Sequence, residues 1–400
     1  MNEEFVKLSL PQDLQPVFNN LPWEIPLTRW QEQCQNLVEV ARGLSRHPVE
    51  FVNLDGDIYA IKEMPPGLAE EEYSHLLALD DMRLPAVNAV GYAVSQNPEG
   101  ERSLLITRLL DRSLPYRSLF MSRSLSGYRD HLLDAMAGLL VQLHLAGVFW
   151  GDCSLSNTLF RRDAGTLQAY LVDAETIERN PGPLSPTLRH HDLQIMEENV
   201  AGDLADLSAQ NLLMDGIPLD DTSSSIRLRY QNLWEQINSQ LVVNSNEKYR
   251  IHEQIQAINS LGFSIGEVIV ETVDDGNKIS YQVVVTDRNF HRDQLLGLTG
   301  IEAEEMQART MMNEIQELKA SLSNINNRST PVSIAAYNWL HDYYHPVMKD
   351  LQPLIDRSGD PAELYCQVLE HKWYLSEAAQ HDVGHRAAAE DYLQNINPPY

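Results

Sequence analysis

The sequence predicts an α+β fold: a small antiparallel sheet lobe, a helical lobe after it, and a mostly helical C-terminal domain containing a β-hairpin. Three observations point there. Period-2 runs around turn signals cluster between residues 49 and 109. A stretch at 128–146 has the apolar spacing of a buried helix. Beyond residue 226 helical periodicity dominates, interrupted by one hairpin pattern.

Residues 1–30 are rich in Pro, Asn and Gln, with Pro11, Pro16, Pro22 and Pro26. They read as an extended arm leading into a helix at about 29–43, with Gly43 where a helix-ending glycine is expected. Residues 49–54 alternate, Asp55-Gly56 is a hairpin turn, and 58–62 is the returning strand. Pro65-Pro66-Gly67 breaks the chain before a helix at 68–82. Strands at 87–95 and 103–109 follow, separated by Asn97-Pro98-Glu99-Gly100. The first lobe is thus a small antiparallel sheet with one helix inserted after its third strand. The helix at 128–146 buries Leu132, Leu133, Ala135, Met136, Leu139, Leu140 and Leu143. Short strands at 158–160 and 169–172 flank a turn at 161–165, and helices are expected at 191–201 and 204–214. The run Asp220-Asp221-Thr222-Ser223-Ser224-Ser225 reads as a boundary. The chain therefore divides into an N-terminal arm and helix (1–44), a first domain (45–218) and an α-rich C-terminal domain (226–400). In the last, helices at 226–242 and 249–261 precede a hairpin of 265–273 and 278–285, and helices at 302–322, 332–351, 362–381 and 385–394 follow.

Composition excludes several classes. The formal charge of −27 opposes nucleic acid and a broad anionic lipid surface, and no Lys/Arg-rich run offsets it. No segment approaches the roughly 18 apolar residues of a membrane helix, and the acidic start, Met1-Asn2-Glu3-Glu4, is unlike a secretory leader. A soluble, cytoplasmic protein without nucleic-acid partner or membrane span is expected. Cys34, Cys153 and Cys366 form no Cys-x-x-Cys pair, so neither a disulfide framework nor a cysteine zinc site is expected.

The chemistry concentrates in Trp150-Gly151-Asp152-Cys153-Ser154-Leu155-Ser156-Asn157 and in Leu171-Val172-Asp173. Asp152 follows a buried helix and a glycine turn, so its carboxylate sits at the end of rigid structure, as a catalytic base requires. Asn157 precedes one short strand and Asp173 ends the next, so the hairpin returns Asp173 to Asn157. Such a trio can orient a hydroxyl nucleophile (Asp152) and hold Mg²⁺ against nucleotide phosphates (Asn157, Asp173). The bland alternative, turn and strand-end capping, uses the same residue types. Lys62, at the end of an apolar strand, can reach phosphates as a point charge. Of Glu70, Glu71 and Glu72, only Glu72 shares a helix face with Leu76 and Leu79, so it is the one directed inward toward Lys62.

This order of strand lysine, helix glutamate, Asp152-x-x-x-x-Asn157 and Asp173 resembles the protein-kinase-like superfamily. The wording of 147–163 and of Leu171-Val172-Asp173-Ala174-Glu175-Thr176 is similar to its bacterial lipopolysaccharide-kinase-like branch, and to an uncharacterised family in which a kinase-like lobe precedes a C-terminal domain of unknown function. The resemblance implies a bilobal protein-kinase-like fold over about 45–215 and an ATP- and Mg²⁺-dependent phosphotransferase acting on an unidentified hydroxyl acceptor. It implies that Asp152 is the catalytic base, that Lys62 contacts phosphates and pairs with Glu72, and that Asn157 and Asp173 are Mg²⁺ ligands. Asp203 is implied as a buttress of the catalytic loop.

Three departures qualify the resemblance. No Gly-x-Gly-x-x-Gly precedes Lys62. Trp150-Gly151 stands where protein kinases carry His-Arg, and Ala174-Glu175 where they carry Phe-Gly, so the usual switches are not expected. Glu175 reads equally as a further metal ligand or a charge partner. The literal tripeptide His291-Arg292-Asp293 lacks an Asn five positions on and reads as a helix start. His190-His191-Asp192 reads as a surface helix cap, Cys153 as an inert thiol, and Glu370-His371-Lys372-Trp373-Tyr374 as an amphipathic helix whose alternative is a partner surface. Two other functions stay open: a nucleotide-binding pseudokinase or scaffold whose C-terminal domain engages a protein partner, and nucleotidyl transfer on the same fold.

Overall fold

A computed structural model of the chain describes residues 6–40, 46–97, 100–121, 128–213, 219–238, 241–244, 253, 255, 264–273, 278–287, 289–356 and 359–395. It divides into two compact units, residues 1–161 with 169–230, and residues 162–168 with 231–400. Among the described residues, no helix is long and apolar enough to cross a membrane.

The first unit opens with β1 (Val6–Ser9) and the short helix α1 (Gln15–Phe18), followed by a 3₁₀ turn, Leu27–Glu32. Strands β2 (Val49–Leu54) and β3 (Asp57–Met64) form the expected hairpin, α2 (Leu68–Asp81) follows, and β4 (Ala89–Asn97) with β5 (Gly100–Arg108) completes an antiparallel sheet of order β1-β4-β5-β3-β2. The arm is not a loose lead-in. Val6–Ser9 pairs with β4, and Phe18, Trp23, Leu27 and Trp30 pack with Tyr59, Ile61, Val90 and Ile106. Burying a side chain such as Phe18 contributes on the order of 2 kcal/mol. The strand period of two then sends Lys62 to the face opposite Tyr59 and Ile61, the face that α2 covers with Glu72.

The helix expected at 29–43 is absent from its described part. Only the 3₁₀ turn forms, and the chain beyond it extends. Leu37 bridges antiparallel to Val52, Val38 N–H donates to Phe51 O at 2.9 Å, and Asn53 N–H donates to Asn36 O at 2.8 Å. Sheet pairing satisfies these backbone groups where a helix running to Gly43 was expected. Gly43 lies outside the described residues.

Beyond β6 (Leu114–Pro115) and α3 (Tyr116–Met121), helix α4 (Arg129–Leu145) is buried nearly all round, as its leucine-rich sequence implies. It leads into β7 (Val148–Phe149), the loop around Asp152, the hairpin β8 (Thr158–Asp163) and β9 (Thr166–Leu171), and β10 (Glu178–Arg179), which pairs with β7. Leu171 N–H donates to Pro85 O at 3.0 Å and Val87 N–H to Leu171 O at 2.9 Å, tying the end of β9 to the segment entering β4. The two helices expected at 191–201 and 204–214 are one, α5 (Pro186–Ala209), capped by Ser185. Gly202 does not interrupt it, because Val200, Leu204 and Leu207 keep a buried stripe running past it. The expected boundary at 220–225 lies inside α6 (Leu219–Asn238), whose Arg229 pairs with Asp134 at 2.7 Å.

In the second unit, Leu241–Asn244, where the preceding helix was expected to end, is instead β11, an edge strand on β13 of the hairpin β12 (Ser264–Val273) and β13 (Lys278–Asp287). The expected helix at 249–261 and the hairpin turn at 274–277 lie outside the described residues, apart from 253 and 255. Helices α7 (Phe290–Thr299), α8 (Glu305–Asn326), α9 (Val332–Trp339), α10 (His345–Ile355), α11 (Pro361–Ala379) and α12 (His385–Asn395) follow, with a π turn, Leu340–Tyr344, dividing the helix expected at 332–351. Their core centres on Met311, Trp339, Tyr365 and Leu351. The half-buried Glu314 takes hydrogen bonds from Tyr365 (2.7 Å) and Trp339 (3.0 Å) and meets His385 at 2.7 Å. These bonds outweigh its burial and hold the carboxyl below its ordinary range. His291-Arg292-Asp293 begins α7, as read from the sequence. Trp373 is 59% exposed, so the helix face carrying it is not the packed one.

Candidate active site

Five sequence-selected residues converge in the first unit. Lys62 Nζ lies 3.0 Å from Glu72 Oε2 and 2.9 Å from Asp173 Oδ2. Glu72 reaches it because α2 starts directly after the Pro65-Pro66-Gly67 break, which places position 72 on the inward face with Leu76 and Leu79. Its side chain is 0% exposed. Its second oxygen accepts Ala174 N–H at 3.1 Å. Burial, reinforced by the Asp173 carboxylate, pushes the Glu72 carboxyl up to about 7. Burial alone would lower the Lys62 ammonium, but the charges of Glu72 and Asp173 prevail and hold it above its ordinary value. Lys62 is therefore a fixed cation.

Asp152 and Asn157 close on each other. Asn157 Nδ2 donates to the Asp152 carbonyl at 3.0 Å and to its Oδ2 at 3.2 Å. With the amide nitrogen so used, the amide oxygen is the end left to act as a ligand. Val172 N–H donates to Asn157 O at 3.0 Å, so the hairpin brings Asp173 back beside Asn157. Asp173 is held from both sides: its carbonyl accepts Trp150 Nε1–H at 3.2 Å, and its Oδ1 accepts Glu175 N–H at 3.1 Å. Ligand atoms of Glu72, Asp173 and Glu175 lie within 4.8 Å of one another. Hard oxygen donors of this kind suit Mg²⁺. Glu175 also lies 3.5 Å from His47 Nε2, so the charge-partner reading has a geometric basis too.

Most of the scaffold behind this constellation was missed in the sequence. Asp192, read there as part of a surface helix cap, is 0% exposed and organises the loop. Its Oδ2 accepts Trp150 N–H at 2.9 Å and meets His144 Nε2 at 3.0 Å, while its Oδ1 accepts Gly151 N–H at 2.9 Å. Gly151 has φ +78, and a Cβ there would sit 3.0 Å from Thr176 O, so the turn requires glycine. Asn199, one more turn-pair along α5, donates from Nδ2 to Asp152 Oδ1 at 2.9 Å. Asp203 accepts Ser156 N–H at 3.0 Å, which matches the buttress expected of it. The signal that would have found Asp192 and Asn199 is spacing: with Asp203, positions 192, 196, 199 and 203 lie on one face of an uninterrupted helix. Cys153 is fully buried, and burial drives its thiol well up, so it is inert as expected.

His144 joins this scaffold with a pH consequence. Its Nδ1 meets the Tyr230 hydroxyl at 2.8 Å, and burial lowers its pKa although Asp192 opposes the shift. Neutral His144 thus donates through Nε2 to Asp192 and accepts from Tyr230. The native state excludes a proton that the unfolded chain accepts below its ordinary 6.5. This contribution is present above that pH and is lost as pH falls through and below it. Urea unfolding of wild type and His144→Gln at pH 7.5, 6.5 and 5.5 should show wild type losing stability relative to the variant, by at most about 1.4 kcal/mol per pH unit. Parallel profiles would remove His144 from the linkage.

Residues 50–213 match the lipopolysaccharide kinase (Kdo/WaaP) family, and residues 232–397 match a domain of unknown function (DUF4032). The expected order, a lipopolysaccharide-kinase-like segment followed by a C-terminal domain of unknown function, is the order of these two matches. Among solved structures, one described as WaaP in complex with acyl carrier protein is similar at 16% identity and a TM-score of 0.36, over 63% of this chain and 95% of that one. No curated protein matches the chain.

Proposed function

We propose that the first unit is an ATP- and Mg²⁺-dependent phosphotransferase acting on a hydroxyl acceptor. The observation that carries the reading is the contact of Lys62 with both Glu72 and Asp173, at 3.0 and 2.9 Å. It links the sheet-borne phosphate cation to the metal-site carboxylate without any rearrangement. Lys62 holds the nucleotide phosphates, and Glu72 fixes the ammonium in place. Asp152, aimed by Asn157 and Asn199, accepts the proton of the attacking hydroxyl. Asn157 and Asp173 hold Mg²⁺, which when bound neutralises charge developing on the phosphates. The net charge of −27 disfavours an acceptor presented on a broad anionic surface, so a soluble metabolite, a glycan or a protein hydroxyl in the cytoplasm fits better.

The test uses the full chain with Mg-ATP labelled separately at the α and γ phosphorus, with cell extract as the acceptor source. Label is expected to move from the γ position only, and to fall to background in Asp173→Ala. Transfer from the α position would mean nucleotidyl transfer. Mg²⁺-dependent binding with no transfer from either position would mean a nucleotide-binding scaffold.

A further inference from the structure

The chain lacks a glycine-rich loop, yet a segment occupies that loop's position in the strand order. Residues 36–38 pair antiparallel with β2 through the Leu37–Val52 bridge and the bonds from Val38 N–H and Asn53 N–H. Strand β2 then pairs antiparallel with β3, which carries Lys62. Two antiparallel segments immediately ahead of the lysine strand are where kinases carry the loop that covers the phosphates.

The residues that lead back into β2 from this position are Arg46 and His47, and both reach the candidate site. Arg46 Nη2 lies 3.6 Å from Asp152 Oδ2, and His47 Nε2 lies 3.5 Å from Glu175 Oε2. The electrostatics of the site favour a further anion-binding role for them. Glu72, Asp173 and Glu175 crowd together, Asp152 lies on the loop whose Trp150 bonds to Asp173, and the permanent cations paired with these carboxylates among the described residues are Lys62, on Glu72 and Asp173, and Arg46, on Asp152. Lys62 is largely buried and already engages two carboxylates. The Arg46 side chain is 84% exposed, and its contact with Asp152 is long, so it can exchange a carboxylate for a phosphate at little cost. A guanidinium presents paired N–H donors that fit phosphate oxygens, which a loop of backbone amides otherwise supplies.

We infer that Arg46 and His47 form the phosphate grip of this site, with Arg46 leaving Asp152 to take terminal phosphate oxygens of the nucleoside triphosphate. The inference rests on the nucleotide-binding reading above. In this arrangement Arg46 screens Asp152 in the nucleotide-free protein and uncovers it when the triphosphate is bound.

Calorimetric titration of the full chain with Mg-ATP, Mg-ADP and adenosine tests it. Arg46→Ala, and Arg46→Ala with His47→Ala, should weaken Mg-ATP binding about tenfold or more, as expected for a lost charge-assisted hydrogen bond. Adenosine binding should stay unchanged, and Arg46→Lys should restore only part of the loss. Because Arg46 is exposed, the variants should melt with wild type, and circular dichroism checks this. Unchanged or tighter Mg-ATP binding in Arg46→Ala, with wild type binding normally, overturns the grip and leaves the phosphotransferase reading standing. An equal loss for adenosine also overturns it. Failure of wild type to bind any of the three ligands overturns both.

Discussion

Asp152→Asn should reduce transfer of γ label by about 10²- to 10⁴-fold while leaving Mg-ATP affinity within about twofold of wild type. The substitution keeps the size of the side chain. It also keeps an oxygen to accept from either Asn157 or Asn199, which approach the two carboxylate oxygens at 3.2 and 2.9 Å. What it removes is the basic oxygen proposed to accept the acceptor hydroxyl's proton. Single-turnover transfer separates this loss from binding. Retention of more than about a tenth of the wild-type rate would mean that Asp152 positions the loop without acting as a base. A matching loss of Mg-ATP affinity would instead make it part of the nucleotide site.

The residues that were legible in the sequence share one property: each belongs to or borders an element whose own pattern is strong. Lys62 lies near the end of an alternating strand, Glu72 falls on the apolar face of a helix with a clear start, and Asp152, Asn157 and Asp173 bracket a hairpin. Local periodicity fixes where such side chains point. Asp192 and Asn199 were not legible in the same way, because the groups they hold lie about 40 residues earlier, at Trp150, Gly151 and Asp152, and Asp203 was reached only through the family resemblance. Expecting two helices, at 191–201 and 204–214, split their helix in two and concealed the shared face. A helical glycine costs only about 1 kcal/mol, which the packing of Val200, Leu204 and Leu207 on either side exceeds.

The arm was hidden by composition in a similar manner. Four prolines among its first 26 residues suggested loose chain, yet Val6-Lys7-Leu8-Ser9 alternates as a strand should, and it pairs with β4. A further part of the fold depends on partners supplied from elsewhere in the chain. Leu37 and Val38 extend because β2 offers unpaired backbone groups, and Leu241–Asn244 leaves its helix because β13 does the same. Intrinsic propensity cannot anticipate either, since the same residues make acceptable helix until a sheet edge is present.

Asp192→Ala should be the most destabilising single change in the first unit's loop scaffold, at about 3–5 kcal/mol. The carboxylate accepts the N–H groups of Trp150 and Gly151, both at 2.9 Å, and that of His144 at 3.0 Å, in a place without solvent. Truncation leaves all three donors unpaired, and no nearby solvent compensates them. In a unit of this size the loss corresponds to a melting point lower by on the order of 10 °C. Asp192→Asn separates support from mere bulk: its amide oxygen can still accept from one side of the loop, while its NH₂ faces donors on the other. That variant should remain folded but present Asp152 imprecisely. The rate of γ transfer should then fall at saturating nucleotide, with little change in KM for ATP, and hydrogen exchange should quicken at the Trp150 and Gly151 amides. If Asp192→Asn instead raised KM and left those amides protected, the carboxylate would be acting on the nucleotide site and not on the loop. The distinction matters because this one buried group binds the turn before Asp152, and through His144 and Tyr230 it also ties that turn to α6. A site that lacks the usual regulatory residues on either side of its acids is held in shape chiefly by this connection.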